Sequence, residues 1–333
     1  MTPNRIHIIA SANPLLPDAA KLGVRNVDDY VAFVRRSLPA PFRLTFDRKV
    51  LQAKEQEQHG GRTDDAARVR DLQGALNDPA TLAIVATNGG AYLSRILPHI
   101  DFSPLAQRRT PLWAFGFSEL TGLVNLVASY RGGRGVYWLC PNFLGWHVRP
   151  LDAARAAFAE FWRILPQLCT GRGAPDTPHF AFGPLRGELH SGRLASGRVR
   201  LVGGCLSVLS ALVGGPIGRR LRPDGKWLII EDVKETPYRV DRFLAALKVA
   251  GWFERVAGVL VGDFRMTHTD TQPAVLELLP YHLPPGRNIP VVATHSFGHL
   301  WPNLPVLLNS PVQLPLRRRG VEIETLPGSR VTK

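Results

Sequence analysis

Twice the chain runs a short apolar strand into glycine and then into a helix, and this repeat constrains its fold more than any other feature. Leu82 to Thr87 ends in Asn88-Gly89-Gly90, after which Tyr92 to Ile96 opens a helix; Leu112 to Phe115 breaks at Gly116, and a further helix follows Ser118. Before them come a buried strand, Ile6 to Ala10, an amphipathic helix, Val27 to Leu38, and a helix from Asp64 to Leu76 capped by Thr63 or Asp64. Alternating strand, glycine turn and helix imply a parallel sheet whose ligand site lies at the C-terminal ends of its strands.

With 333 residues, 45% of them hydrophobic, the chain can bury one large or two medium cores. The spacing predicts an N-terminal α/β domain over 1–150 and a segment over 151–197 rich in Gly, Pro and Arg, whose helix, Ala153 to Leu165, docks as part of a linker. The irregular character begins earlier, at Gly132-Gly133-Arg134-Gly135. A second α/β domain over 198–333 carries strands at Val199 to Val202, Trp227 to Ile230, Val256 to Val261 and Ile289 to Ala293, with helices at Leu206 to Leu212 and Val240 to Val249. The formal charge of +14 is spread through the sequence in short arginine runs, and no RNP pattern, paired-cysteine finger or basic heptad gathers it, so no specific nucleic-acid partner is expected. Cys140, Cys169 and Cys205 lack CxxC spacing and suit a reducing compartment. The N-terminal apolar run is too short for a signal-peptide core and no later stretch reaches membrane-spanning length, so cytoplasmic residence is the default expectation and no membrane partner is expected.

The segment Gly116-Phe117-Ser118-Glu119-Leu120-Thr121 delivers a serine to the start of a helix. A helix cap alone explains such a serine, since serine is a favoured N-cap and a glutamate beside it suits the positive end of the dipole. A sharp strand-to-helix turn also presents a hydroxyl for attack beside backbone N–H groups that can hold an oxyanion. A serine nucleophile needs a base and a group to orient that base. Trp227-Leu228-Ile229-Ile230-Glu231 is an apolar strand ending in a carboxylate, and the strand Ile289 to Ala293 runs into His295 and His299. Taken singly, Glu231 reads rather as a salt-bridge or helix-start carboxylate, and His299 as a loop histidine satisfied by backbone.

Together these segments resemble the LD-carboxypeptidase family of serine peptidases, which includes muramoyltetrapeptide carboxypeptidases and microcin C self-immunity peptidases. The resemblance is carried, in order, by His59-Gly60-Gly61-Arg62-Thr63 through Arg68-Val69-Arg70-Asp71-Leu72, Asn88-Gly89-Gly90, the Ser118 elbow, Gly203-Gly204-Cys205-Leu206-Ser207, Glu231 to Arg242, and Phe297-Gly298-His299. It implies a flavodoxin-like or glutamine-amidotransferase-like parallel-sheet domain joined to a C-terminal α/β domain, with the active site between them. Ser118 would be the nucleophile, His299 the general base and then acid, and Glu231 the orienting carboxylate. Backbone N–H groups of Gly89, Gly90 and Glu119 would form the oxyanion hole. The implied reaction is hydrolysis of the L,D bond before the terminal D-alanine of a peptidoglycan tetrapeptide by a homodimer that needs no cofactor or metal. Within the family the alternative is an amidase acting on aminoacyl-nucleotide conjugates, for which Trp138, Trp146 or Trp162 would supply stacking.

The chain departs from the family pattern at Asn88, expected to be a substrate-binding residue in the place of the arginine that would usually meet a substrate carboxylate, and at Glu119, Cys205 and Lys234; the stretch Tyr137 to His147 matches only loosely. These departures keep open a catalytically silent muropeptide-binding protein. An α/β-hydrolase esterase shares the order of the triad but needs the second glycine of GxSxG, which the elbow lacks. The H-x-x-x-H spacing of His295 and His299 lacks a third zinc ligand in its pattern, and reads as one catalytic and one structural histidine.

Overall fold

The computed structural model describes residues 2–56, 58, 61–171, 177–317 and 320–324. His59 and Gly60, and most of the stretch from Gly171 to Pro178, lie outside or partly outside these residues. The chain divides into two compact units, one of Met1–Gly135 with Leu139–Phe180 and the other of Val136–Trp138 with Ala181–Lys333.

The first unit contains β1 (Arg5–Ile9), α1 (Val27–Ser37), β2 (Arg43–Thr45), α2 (Arg48–Gln52), α3 (Asp65–Asn77), β3 (Thr81–Ala86), β4 (Leu112–Gly116), α4 (Thr121–Ala128), the start of β5 (Gly133–Tyr137), α5 (Leu144–His147) and α6 (Leu151–Thr170). Its strands lie in the order β5-β4-β3-β1-β2, and β3 pairs in parallel with both β1 and β4. Every residue of β3 is buried, as expected of a strand with helices on both faces. Asn26 starts α1 by accepting the Asp29 N–H at 2.9 Å, which satisfies one of the orphan donors of the first turn.

Three sequence expectations change here. The helix placed in a linker is α6, and it belongs to the first unit: the ring of its Phe158 lies 5.5 Å from Tyr30 and 5.0 Å from Phe33, both on α1. The glycine-rich piece at 132–135 is mostly strand. A Cβ on Gly133 would stand 2.0 Å from the Val127 carbonyl oxygen, and one on Gly135 would stand 1.9 Å from that of Val124. The glycines therefore let α4 lie directly on β5. No helix opens at Tyr92; left-handed backbone at Gly90 (φ 113°) and Tyr92 (φ 75°) breaks the run, and only 3₁₀ turns follow at Leu97–His99 and Ser103–Gln107, each with proline in its first turn.

The second unit holds β6 (Leu185–Ser191), β7 (Gly197–Cys205), α7 (Leu206–Leu212), α8 (Gly215–Leu221), β8 (Trp227–Val233), α9 (Pro237–Val249), β9 (Gly258–Met266), β10 (Thr269–Asp270), α10 (Gln272–Leu278), β11 (Val291–Ala293), β12 (Val306–Leu307), β13 (Pro311–Leu314), β14 (Leu316–Arg317) and β15 (Gly320–Ile323). It thus begins earlier than the expected boundary at 198. Strands β7, β8, β9 and β11 form a parallel centre, flanked by antiparallel β13 on one side and β6 and β15 on the other. The protein is therefore α/β in both units, with a mixed sheet in the second. The residues Val136 and Tyr137 that end β5 pair antiparallel with β12 in this unit. Among the described residues no helix is long and apolar enough to cross a membrane.

Candidate active site

Ser118 stands where β4 turns into α4. Phe117 is fully extended (φ −141°, ψ −173°), Ser118 then takes a left-handed φ of 58°, and a 3₁₀ turn over Ser118–Leu120 leads into the helix. A non-glycine residue adopts that φ only under support from its surroundings. The Thr121 hydroxyl supplies part of it by donating to the Ser118 carbonyl oxygen at 2.6 Å. Gly116 allows the fold-back, because a Cβ there would come within 2.7 Å of the Leu120 Cβ. Ser118 remains partly exposed at the top of an otherwise buried turn.

The double-glycine turn lies against it. A Cβ on Gly89 would stand 3.0 Å from the Ser118 Cβ and 3.4 Å from its Oγ, so a side chain there would crowd the hydroxyl. The Gly89 carbonyl oxygen accepts the Asn13 N–H at 3.2 Å, and Asn13 Oδ1 accepts the Ala91 N–H at 3.1 Å. A side chain on Gly90 would run into the Asn13 amide at 2.1 Å. Glu119 is buried, and its carboxylate accepts the Ser94 N–H at 2.8 Å, which ties the elbow to the chain leaving the turn. Burial pushes the Glu119 carboxyl above the ordinary range, and the Ser94 N–H partly opposes this.

Asn88, expected at the substrate, has its side chain engaged within its own unit. Its side chain is buried; Nδ2 donates to the carbonyl oxygens of Pro14 and Leu15, while Oδ1 accepts from Asn142 Nδ2 at 2.6 Å. The amide is thus spent on neighbouring loops. Two buried arginines, singled out in the sequence only through the resemblance, do related work. Arg68 Nη1 donates to the Ser11 carbonyl at 2.6 Å and to that of Tyr92 at 2.9 Å, and Arg62 Nη1 donates to the carbonyls of Ala10 and Ala12. Asp64 and Asp65 offset their charge, Arg62 Nε donating to Asp64 at 2.9 Å. Their signal in the sequence is the acid-to-arginine spacing at the start of α3.

In the second unit β8 carries Glu231, fully buried, and the loop after β11 carries His299. His299 Nδ1 lies 2.7 Å from Glu231 Oε2. The other carboxylate oxygen, Oε1, accepts the phenolic hydrogen of Tyr137. Gly298, with φ 119°, lets the histidine loop settle over this pair: a Cβ there would lie 2.9 Å from Glu231 Oε2 and 3.1 Å from the Asp263 Cβ. Burial works to lower the His299 pKa, but the charge and hydrogen bond of Glu231, with Asp232 and Asp263, together raise it above the ordinary value of 6.5. Asp232 accepts the Ser207 N–H at 2.7 Å and stands 3.5 Å from the Cys205 sulfur. Burial, with the neighbouring Glu231 charge, pushes the Asp232 carboxyl up to about 6.

His295 is engaged elsewhere. Its Nδ1 faces Asp263 Oδ1 at 3.2 Å and its Nε2 faces Asp270 at 3.6 Å, while Arg265 grips Asp263 through two donors at 2.6 and 2.5 Å. Trp138 and Trp162 are buried; Trp146 is half exposed, with the Lys21 ammonium 4.7 Å from its ring. Within one unit, then, Ser118, Glu119, Asn88, Gly89 and Gly90 gather at the strand ends of the first sheet, and within the other Glu231 and His299 form a bonded pair.

Residues 6–137 match the LD-carboxypeptidase N-terminal domain and residues 198–314 the LD-carboxypeptidase C-terminal domain. A Streptomyces coelicolor protein bearing the name "putative carboxypeptidase" is 32% identical over 75% of this chain and 74% of its own. One from Bacillus subtilis, named "probable murein peptide carboxypeptidase", is 29% identical over 80% and 79%. Among solved structures, an MccF-like protein from Streptococcus pneumoniae, crystallised with AMP, superposes with a TM-score of 0.69 at 18% identity, covering 97% of this chain and 99% of that one. The buried carboxylate–histidine pair and the strained serine elbow accordingly sit in a chain that belongs to the LD-carboxypeptidase family and is a serine-type hydrolase.

Proposed function

We propose that the protein hydrolyses the L,D peptide bond before the terminal D-alanine of a peptidoglycan tetrapeptide, with Ser118 as nucleophile, His299 as base and Glu231 as the carboxylate that orients it. The observation that carries this reading is the 2.7 Å contact between His299 Nδ1 and buried Glu231 Oε2. With its hydrogen donated to Glu231, Nδ1 leaves the lone pair on Nε2, which takes the Ser118 proton as Oγ attacks the scissile carbonyl. The oxyanion is held by backbone N–H groups at Glu119 and at the Gly89-Gly90 turn, where the missing Cβ atoms admit the substrate; each such donor is worth roughly 3 kcal/mol. His299 then protonates the departing D-alanine amine, and water releases the acyl group by the reverse proton transfer. The Bacillus subtilis relative's name supports the murein substrate. In this reading the protein serves cell-wall recycling in the cytoplasm as a homodimer, and sedimentation measures the latter.

The test is D-alanine release from a muramyl tetrapeptide by the wild type and by Ser118→Ala, His299→Ala and Glu231→Gln, each with a chelator control. The expected result is chelator-resistant turnover that falls at least about a thousandfold in the serine and histidine variants. Absence of release by folded wild type rejects the tetrapeptide. Cleavage of an aminoacyl-nucleotide conjugate in its place would assign the other substrate class, in line with the AMP found on the Streptococcus pneumoniae structure.

A further inference from the structure

Glu231 has two buried oxygens, and the second unit gives each a donor: His299 Nδ1 on Oε2 and the Tyr137 hydroxyl on Oε1. Tyr137 is itself buried and held in place on several sides. Its backbone pairs with Val306 of β12. Next to it, the Trp138 indole donates to the Asn303 carbonyl at 3.4 Å, and Asn303 Nδ2 donates to the Gly298 carbonyl at 3.0 Å. The three residues Val136–Trp138 thus brace both the carboxylate and the loop carrying the histidine.

We propose that Tyr137 is a positioning residue of the hydrolytic reaction: its hydroxyl fixes the Glu231 carboxylate and takes up part of its charge, and so governs how strongly that carboxylate holds the His299 imidazole. This rests on the triad reading above. A hydrogen bond to the ionised form of a carboxylate favours that form. Without the phenol, Oε1 becomes a buried acceptor lacking that donor, and the carboxylate binds protons more tightly, both its own and the one shared with Nδ1. Each effect makes the reactive state, ionised Glu231 with neutral His299, harder to reach in acid. The charged and titratable groups around His299 are Glu231 and Asp232 of β8, Asp263 of β9 with its partners Arg265 and His295, and Tyr137 of β5. Replacing Tyr137 leaves the rest of that set in place.

The experiment is the pH profile of kcat/KM for tetrapeptide hydrolysis by the wild type, by Tyr137→Phe, and by protein carrying a ring-fluorinated tyrosine at 137, whose phenol is the stronger donor. The expected result is a loss of about tenfold in kcat with KM little changed in Tyr137→Phe. Its acid limb moves to higher pH, and that of the fluorinated protein moves to lower pH. If both limbs coincide with wild type while Ser118→Ala and Glu231→Gln are inactive, the tyrosine only fills space and the inference is overturned. If Glu231→Gln or Ser118→Ala keeps full turnover, it is the triad reading that fails, and Tyr137 loses its role with it. Should Tyr137→Phe fold poorly, the fluorinated protein decides alone, since it keeps the ring and the hydrogen bond.

Discussion

Asp232 shows what the site costs at the level of one residue. It follows Glu231 in β8, is buried, and has its pKa raised from 3.8 to about 6 by burial and by the Glu231 charge. Because the folded value lies above the unfolded one, the folded state holds this proton longer. The stabilisation is complete below the unfolded pKa and disappears as pH rises through about 6. The stability difference between the wild type and Asp232→Asn should therefore move against the wild type by roughly 2 kcal/mol between about pH 4 and pH 7.5. Urea unfolding at the two pH values measures it, and a gap independent of pH refutes the account. Single residues were unevenly legible in the sequence. Ser118, Glu231 and His299, the residues of the proposed triad, could be picked out because each stands at or just past the end of an apolar run. Tyr137 also ends a strand, but nothing local tells a tyrosine whose hydroxyl meets a buried carboxylate from one that merely fills core. Asn88 shows a related limit: position in the motif indicates where its backbone lies, and only packing shows that its amide faces Pro14 and Leu15.

At the scale of elements, the central strands and the long helices follow from periodicity, whereas the edge strands β2, β6 and β13–β15 went unread, β6 inside the expected linker, and further errors fall where glycine or proline has two meanings. Gly133 and Gly135 read as loop residues because a turn glycine and a contact glycine look alike in sequence; here they mark the line along which α4 touches β5. Since α4 follows the Ser118 turn, this contact also supports the elbow. Gly135→Ala, with its Cβ 1.9 Å from the Val124 carbonyl oxygen, must push the helix away. It should cost about 2–3 kcal/mol and lower activity in proportion to the displacement, whereas Gly197→Ala, with open space around its Cβ position, should leave stability within about 0.5 kcal/mol of wild type. Thermal denaturation of the two variants distinguishes them, and equal melting temperatures would refute the close-packing argument. The helix α6 was legible as a helix and illegible as to its partner, since its aromatic face does not reveal that Tyr30 and Phe33 are what it meets.

At the scale of the molecule, the division into a parallel-sheet unit and a second α/β unit was legible from composition and motif order, but the boundary was not, because the chain crosses it more than once. The strand β5 begins in the first unit, and its last residues, Val136 and Tyr137, are counted with the second. A polypeptide of Ala181–Lys333 alone therefore lacks both the neighbour strand of β12 and the donor to Glu231 Oε1. It should fold less stably than a version to which residues 133–140 are fused by a flexible linker, as hydrogen exchange of β8 and β12 would report; equal protection in the two would show that the segment is dispensable. The same crossing bears on how such proteins can be recombined. A chimera that takes its first half from one relative and its second from another, cut anywhere between the two matched segments, imports a foreign tyrosine position to serve its own glutamate. Exchange should then succeed only between parents that agree at the end of this one strand, so that a few residues act as a compatibility tag for an entire half of the gene.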